Sequence, residues 1–137
     1  MKSGGLVGTT FCNRTYDEAF DLTVEARDYV AEGLDLDRDE AAFGERGHFD
    51  CEALRMTTLL AQVMAWLMVQ RAVHAGEIGM EEAREEDRRL GGQEVCFDND
   101  NEIVDLLPPH FRSLMERSLK LYQRISRLDE MVARNEN

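Results

Sequence analysis

At 137 residues the chain is long enough for one domain with its own core. Its net charge of −12 argues against nucleic acid or an anionic membrane surface as the main partner, because both are held through Lys and Arg. Three cysteines, Cys12, Cys51 and Cys96, are odd in number and form no Cys-x-x-Cys pair, which reads as reduced thiols in a cytosolic protein.

Residues 1–14 are Gly-rich and polar and are expected to be disordered. They hold no apolar run of roughly 7 to 15 residues, so no signal peptide is expected. Gly4, Gly5 and Gly8 follow no strand, which excludes a phosphate loop. A helical bundle domain is expected over 15–137. Thr15 and Glu18 match a capping box and place the first helix start at Thr15. Tyr16, Phe20, Thr23, Val24 and Val30 recur at helical spacing, Leu22, Ala26 and Tyr29 widen that face, and Gly33 marks the end.

Residues 35–49 are acidic and broken by Gly44 and Gly47, and read as a loop with a helical turn near 38–43. Glu45 and His48 have the Glu-x-x-His spacing used by di-iron bundles. Such sites need two copies of the motif and two further carboxylates, so one copy with Gly47 inside it is no metal site.

The stretch from Leu54 to Gly76 is the centre of the chain. Between Leu59 and Val69 only Gln62 is polar. The run is too short for a bilayer, which needs about 20 apolar residues, and too long for a strand. Asp50 and Glu52 suit the start of the helix, Arg71 and His74 suit the negative end of its dipole, and Gly76 suits its C-terminal cap. Three apolar lines run along it: Leu59, Val63, Trp66 and Val73; Leu60, Met64 and Leu67; Ala61, Ala65, Met68 and Ala72. A helix apolar all round is a central one. Either one subunit covers every line, or a second subunit covers the line of Leu60, Met64 and Leu67.

Met80 to Leu90 reads as a charged, marginal helix, and 91–101 as a loop. The run Asp98-Asn-Asp-Asn101 lacks the Gly and the distal Glu of a calcium loop. The last helix opens at Pro108 and Pro109. Phe111, Leu114, Ser118, Leu121, Ile125, Leu128 and Val132 follow a 3-4 spacing that Met115 and Tyr122 widen. Its basic residues, Arg112, Arg117, Lys120, Arg124, Arg127 and Arg134, form either a solvated face near acidic neighbours or an interaction stripe. The fold class is thus all-α, a bundle of three long helices with short accessory helices, expected to be dimeric. Leu60, Met64, Trp66, Leu67, Met115 and Tyr122 are its expected core or dimer contacts.

No nucleophile, base and orienting group can be assembled from this chain. Cys51 near a helix N-terminus has no His placed to serve it, and His48, His74 and His110 are scattered and expected at the surface. The protein is expected to be no enzyme and to use no cofactor or metal.

Two blocks carry a resemblance. One is Arg55-Met-Thr57, Val63, Ala65-Trp-Leu67, Gln70-Arg-Ala-Val73 and Gly76-Glu77. The other is Leu107-Pro108, Phe111, Arg117-Ser-Leu119, Leu121-Tyr122 and Arg127-Leu-Asp129. Together they resemble the bacterial family known as regulator of CtrA degradation. The resemblance implies a dimerising three-helix bundle that acts as a proteolysis adaptor in the cell cycle. Such an adaptor joins the AAA+ protease ClpXP, primed by a response-regulator-like adaptor, and delivers cargo such as cell-cycle transcription factors. It implies no catalytic residue and no cofactor. The chain ends soon after its last helix, which places the expected partner contacts on the folded surface or the N-terminal segment. Gln70, Arg71, Arg117, Lys120, Arg124 and Arg127 are the candidates. The alternative is a helical regulator that binds a small effector or a DNA-associated partner without a protease.

Overall fold

The computed structural model describes residues 8–92 and 104–134. Three long helices pack side by side: α1 (Thr9–Glu32), α3 (Arg46–His74) and α5 (Pro109–Arg134). The short helices α2 (Leu34–Glu40) and α4 (Met80–Ala83) lie in the connections, with 3-10 turns at Phe43–Glu45 and Glu86–Arg88. The described residues include no strand, as an all-α class requires. Residues 1–7 of the expected disordered segment, and the 98–101 run, lie outside the described residues.

The first helix departs from its expected start. It begins at Thr9, six positions before Thr15, and the capping box does not form. Thr15 is 3% exposed and lies on the line Cys12, Thr15, Ala19, Leu22, Ala26 and Tyr29, which is the face α1 buries. Phe20 and Val30, expected on the core face, are exposed. The reason is size. Cys, Thr and Ala on the buried line let α1 approach the other helices closely, while the larger aromatics flank the contact and dominate a hydrophobicity pattern.

Gly33 ends α1, as expected. A Cβ there would stand 2.8 Å from the Tyr29 ring, so the turn into α2 admits no larger residue without displacing that ring. The expected acidic loop is largely helical. Tyr29 Oη donates to Asp37 Oδ2 at 2.6 Å, Arg38 pairs with Asp35 and Asp50, and Leu34 is buried. Exposed ion pairs contribute at most about 1 kcal/mol each, whereas burying a leucine side chain contributes about 1.5–3 kcal/mol. Leu34 and the Tyr29 bond therefore hold α2 more firmly than its charges do.

The central helix runs 29 residues and begins at Arg46, so Asp50 and Glu52 lie beyond its first turn. Arg71 and His74 do occupy its last turn. Gly76 has φ +78°, its N–H donates to Val73 O at 3.0 Å, and the N–H of Glu77 donates to Ala72 O at 2.9 Å. That pair of bonds is a Schellman motif, and the left-handed residue it needs is the glycine. Leu59, Leu60, Val63, Trp66 and Leu67 are all buried within this one chain, and Met64 is half-buried. The line of Ala61, Ala65 and Met68 faces outward.

In α5 the expected seam is the observed one. Phe111, Leu114, Ser118, Leu121, Ile125 and Val132 are buried, with Met115 and Tyr122 beside them and Leu128 half-buried. Pro109 is its first residue. At one end of the bundle Tyr29, Phe49 and Phe111 form an aromatic cluster, with ring centroids 5.0 Å and 6.1 Å from Phe111. The expected helix at 80–90 is one turn of α-helix and one 3-10 turn, anchored by buried Ala83 and Leu90.

Candidate functional site

The connection after α3 is strapped to the bundle by polar contacts that start from two family-block residues. The Trp66 indole N–H donates to Asp129 Oδ1 at 3.0 Å. Asp129, 1% exposed, also accepts from Arg89 Nε and Nη2 at 2.9 Å each and from the backbone N–H of Leu90 at 3.3 Å. The hydrogen bond to Asp129 pushes the Arg89 guanidinium above its usual range, against the opposing effect of burial. One residue further on, Gly91 N donates to Gln62 Oε1 at 2.9 Å and Gly91 O accepts from Tyr122 Oη at 2.7 Å. Arg84 Nε reaches Val132 O at 3.2 Å. The one polar side chain of the Leu59–Val69 run is thus a clamp for the strap. The strap, Trp66, Met68 and Val69 enclose a shallow cleft of about 470 Å³.

Trp66 was expected as a core anchor, and at 2% exposure it is buried. Its carboxylate partner was not anticipated. Asp129 lies seven positions after Tyr122 and fourteen after Met115, on the line that widens the α5 seam. A carboxylate on an apolar line, together with a buried indole needing an acceptor, is the signal by which the pair could have been found.

Two arginines of the basic face of α5 pair with acidic residues of α1. Arg117 holds the Glu25 carboxylate with two bonds of 3.0 and 2.8 Å, and Arg124 holds Glu18 with bonds of 2.9 and 3.2 Å. His110 Nε2 stands 3.8 Å from Glu25. The Arg117 hydrogen bond is the main cause that lowers the Glu25 pKa, with the charges of Arg117 and His110 adding to it against a smaller effect of burial. Arg112 donates to Asp105 O at 3.2 Å. Lys120 and Arg127 are exposed and form no ion pair among the described residues.

Gln70 is not a surface residue. It is 1% exposed, and its Oε1 accepts no hydrogen bond among the described residues. Spaced four positions after Trp66, it follows that residue into the bundle instead of following Arg71 outward. Arg71 is exposed, with its guanidinium 4.4 Å above the centre of the Tyr16 ring. Glu52 and Arg55 form a buried pair at 3.0 Å that sequence reading passed over, because an i,i+3 pair in an apolar helix looks like a solvated one. Leu60, Trp66, Leu67, Met115 and Tyr122 all lie in the core of the single chain, and Met64 lines a groove between α1 and α3.

Chemistry-bearing groups among the described residues do not converge. Among the described residues no three His, Cys, Asp or Glu side chains are grouped to hold a metal ion. Cys12 is buried, and burial raises its thiol pKa, opposed by the charge of Arg71; Cys51 is exposed on α3, and His48 and His110 are also exposed. No described helix is long and apolar enough to cross a membrane.

A family model described as a protein of unknown function, DUF1465, matches residues 6–137. Among solved structures the chain is similar to RcdA from Caulobacter crescentus, with 31% identity and a TM-score of 0.68, covering 87% of this chain and 88% of that one. No curated protein matches it. The chain belongs to the DUF1465 family, whose regulators of CtrA degradation its central and last helices resemble.

Proposed function

We propose that this protein is a non-enzymatic adaptor, cytoplasmic and homodimeric, that helps deliver regulatory proteins to a ClpXP-type protease and so controls cell-cycle protein turnover. Its partners are the protease primed by a response-regulator-like adaptor and the cargo. The observation that carries this reading is the family match over residues 6–137, together with the 31% identity to RcdA across most of both chains.

The physical chemistry is compatible with a binding role. Residues of the family blocks, Trp66, Tyr122 and Asp129, hold the bundle and its strap. What faces outward includes charged side chains, an uncharged strip of α3 and single apolar side chains such as Phe20, Phe43 and Met131. Lys120, Arg127 and Arg134 are exposed cations of α5 that form no ion pair among the described residues, and the first two are the first candidates for a partner contact, with Arg71, Arg117 and Arg124 beside them. Charges at the rim of an interface chiefly set encounter rate and salt sensitivity.

Retention on the immobilised protein tests the reading. The unfoldase should be held when the priming adaptor is present and lost as salt rises. Retention of nucleic acid or a small effector, with no protease component, would favour a regulator that acts without a protease.

A further inference from the structure

The outward line of α5 is cationic in an acidic chain. The helix carries six Lys or Arg against three Asp or Glu, while the whole chain has a net charge of −12. Arg117 and Arg124 are spent on α1, at the border of the line. Lys120, Arg127 and Arg134 follow one another at seven-residue steps, and all three are exposed and form no ion pair among the described residues. Seven residues are close to two helical turns, so these charges point one way at intervals of about 10.5 Å, over about 21 Å in all. Met131, 54% exposed, lies on the same line between Arg127 and Arg134.

We propose that this line docks a helical segment of a protein partner, one that carries carboxylates at seven-residue spacing and an apolar side chain to cover Met131. This names the chemistry of the partner contact in the proposed function and rests on that reading for the partner being a protein.

Spacing selects a helix. Two lines that repeat every seven residues stay in contact over several turns when their helices cross at about 20°. An extended segment presents one face every 6.6 Å or so, out of step with cations about 10.5 Å apart. Met131 supplies the apolar contact, and methionine and arginine are both enriched in interfaces.

Charge selects a protein over nucleic acid. A duplex carries about 12 charges over about 21 Å, and the line offers three cations. Its borders are acidic. Glu116 stands four residues before Lys120, Glu130 adjoins Met131, and Glu18, Asp21 and Glu25 line the groove of about 490 Å³ between α1 and α5. A phosphate backbone would meet those carboxylates. A helix keeps its own carboxylates on one line and places other residues at the borders, where the exposed Asp21 suits a basic side chain.

Photo-cross-linking tests the surface. Met131→p-benzoylphenylalanine, in the full chain, is irradiated in host cells and the attached peptide is read by mass spectrometry. The expected product is a net-negative segment of a second protein with Asp or Glu seven residues apart. Lys120→Glu with Arg127→Glu should reduce that product at least about tenfold with helicity unchanged. The segment made as a peptide with Lys in place of those acids should bind the reversed variant more tightly than the unaltered protein. Attachment to nucleic acid, lipid, a second copy of this chain or a neutral or basic segment overturns the proposal. So does a product that charge reversal leaves unchanged, or no protein product at all. An acidic segment from a protein that is neither protease component nor cargo leaves this surface standing and overturns the adaptor reading. Cargo degradation that depends on this protein, with no acidic segment at position 131, does the reverse.

Discussion

The Trp66 indole N–H and the Asp129 carboxylate meet at 3.0 Å, joining the middle of α3 to the end of α5 across 63 positions of sequence. The same carboxylate fixes Arg89 and the Leu90 N–H, so one buried charge ties three segments together. Removing an acceptor from such a group leaves several donors unmatched. Asp129→Ala should therefore destabilise by about 3 kcal/mol or more in chemical denaturation, and Asp129→Asn, which keeps an oxygen for the indole, by less. A loss under about 1 kcal/mol for Asp129→Ala would mean the strap is held without it.

Trp66 adds packing to that bond. Trp66→Ala should cost about 3 to 5 kcal/mol, a large share of the stability of a small domain. Trp66→Phe keeps much of the ring and loses the donor, and should cost about 1 to 3 kcal/mol. A double-mutant cycle with Asp129→Asn separates the two effects. Unchanged thermal stability in Trp66→Ala would contradict the burial of the indole.

The pairs between α1 and α5 are exposed, so each should matter little to stability. Arg117→Met and Arg124→Met should each cost less than about 1 kcal/mol. Their effect should show in titration. Glu25 has its pKa lowered below the ordinary 4.5, chiefly by the Arg117 hydrogen bond. A carboxylate with a lowered folded-state pKa stabilises the fold above the unfolded value, and loses that contribution as pH falls through the folded value. The Glu25 midpoint read by NMR should therefore lie below 4.5 and rise toward it in Arg117→Met. An equal midpoint in both proteins would show that the pair does not form in solution.

Much of this fold was legible in the sequence. The α5 seam follows from the 3-4 spacing of Phe111 to Val132, because large aliphatic residues there meet a single face. The end of α3 follows from Gly76. The start of α1 was hidden, since its buried line of Cys12, Thr15 and Ala19 carries little hydrophobic signal and Thr15 has the chemistry of a cap. Gln70 was misplaced because an amide beside Arg71 looks like surface, although its position after Trp66 turns it inward. Charge pairing was the least legible feature. Arg117 and Arg124 read either as a solvated face near acidic neighbours or as an interaction stripe, and the sequence could not name Glu25 and Glu18 of α1 as the neighbours.

Lys120 and Arg127 stand outside that pairing and are the first candidates we propose for the partner contact. Lys120→Glu with Arg127→Glu should weaken retention of the protease or cargo roughly tenfold, a loss of about 1.4 kcal/mol, and flatten its salt dependence. The Tm should be unchanged, because both side chains are exposed and form no ion pair among the described residues. Retention equal to that of the unaltered protein would move the contact to another face.

Reconstituted degradation tests the adaptor reading most directly. Purified ClpXP-type protease, the priming adaptor and a labelled cargo are mixed with and without this protein, and cargo loss is followed by gel. The adaptor reading predicts that cargo turnover depends on this protein, rises with its concentration and then falls at excess as protease and cargo are bound by separate copies. Equal turnover in its presence and absence, with the priming adaptor active on other substrates, would contradict it.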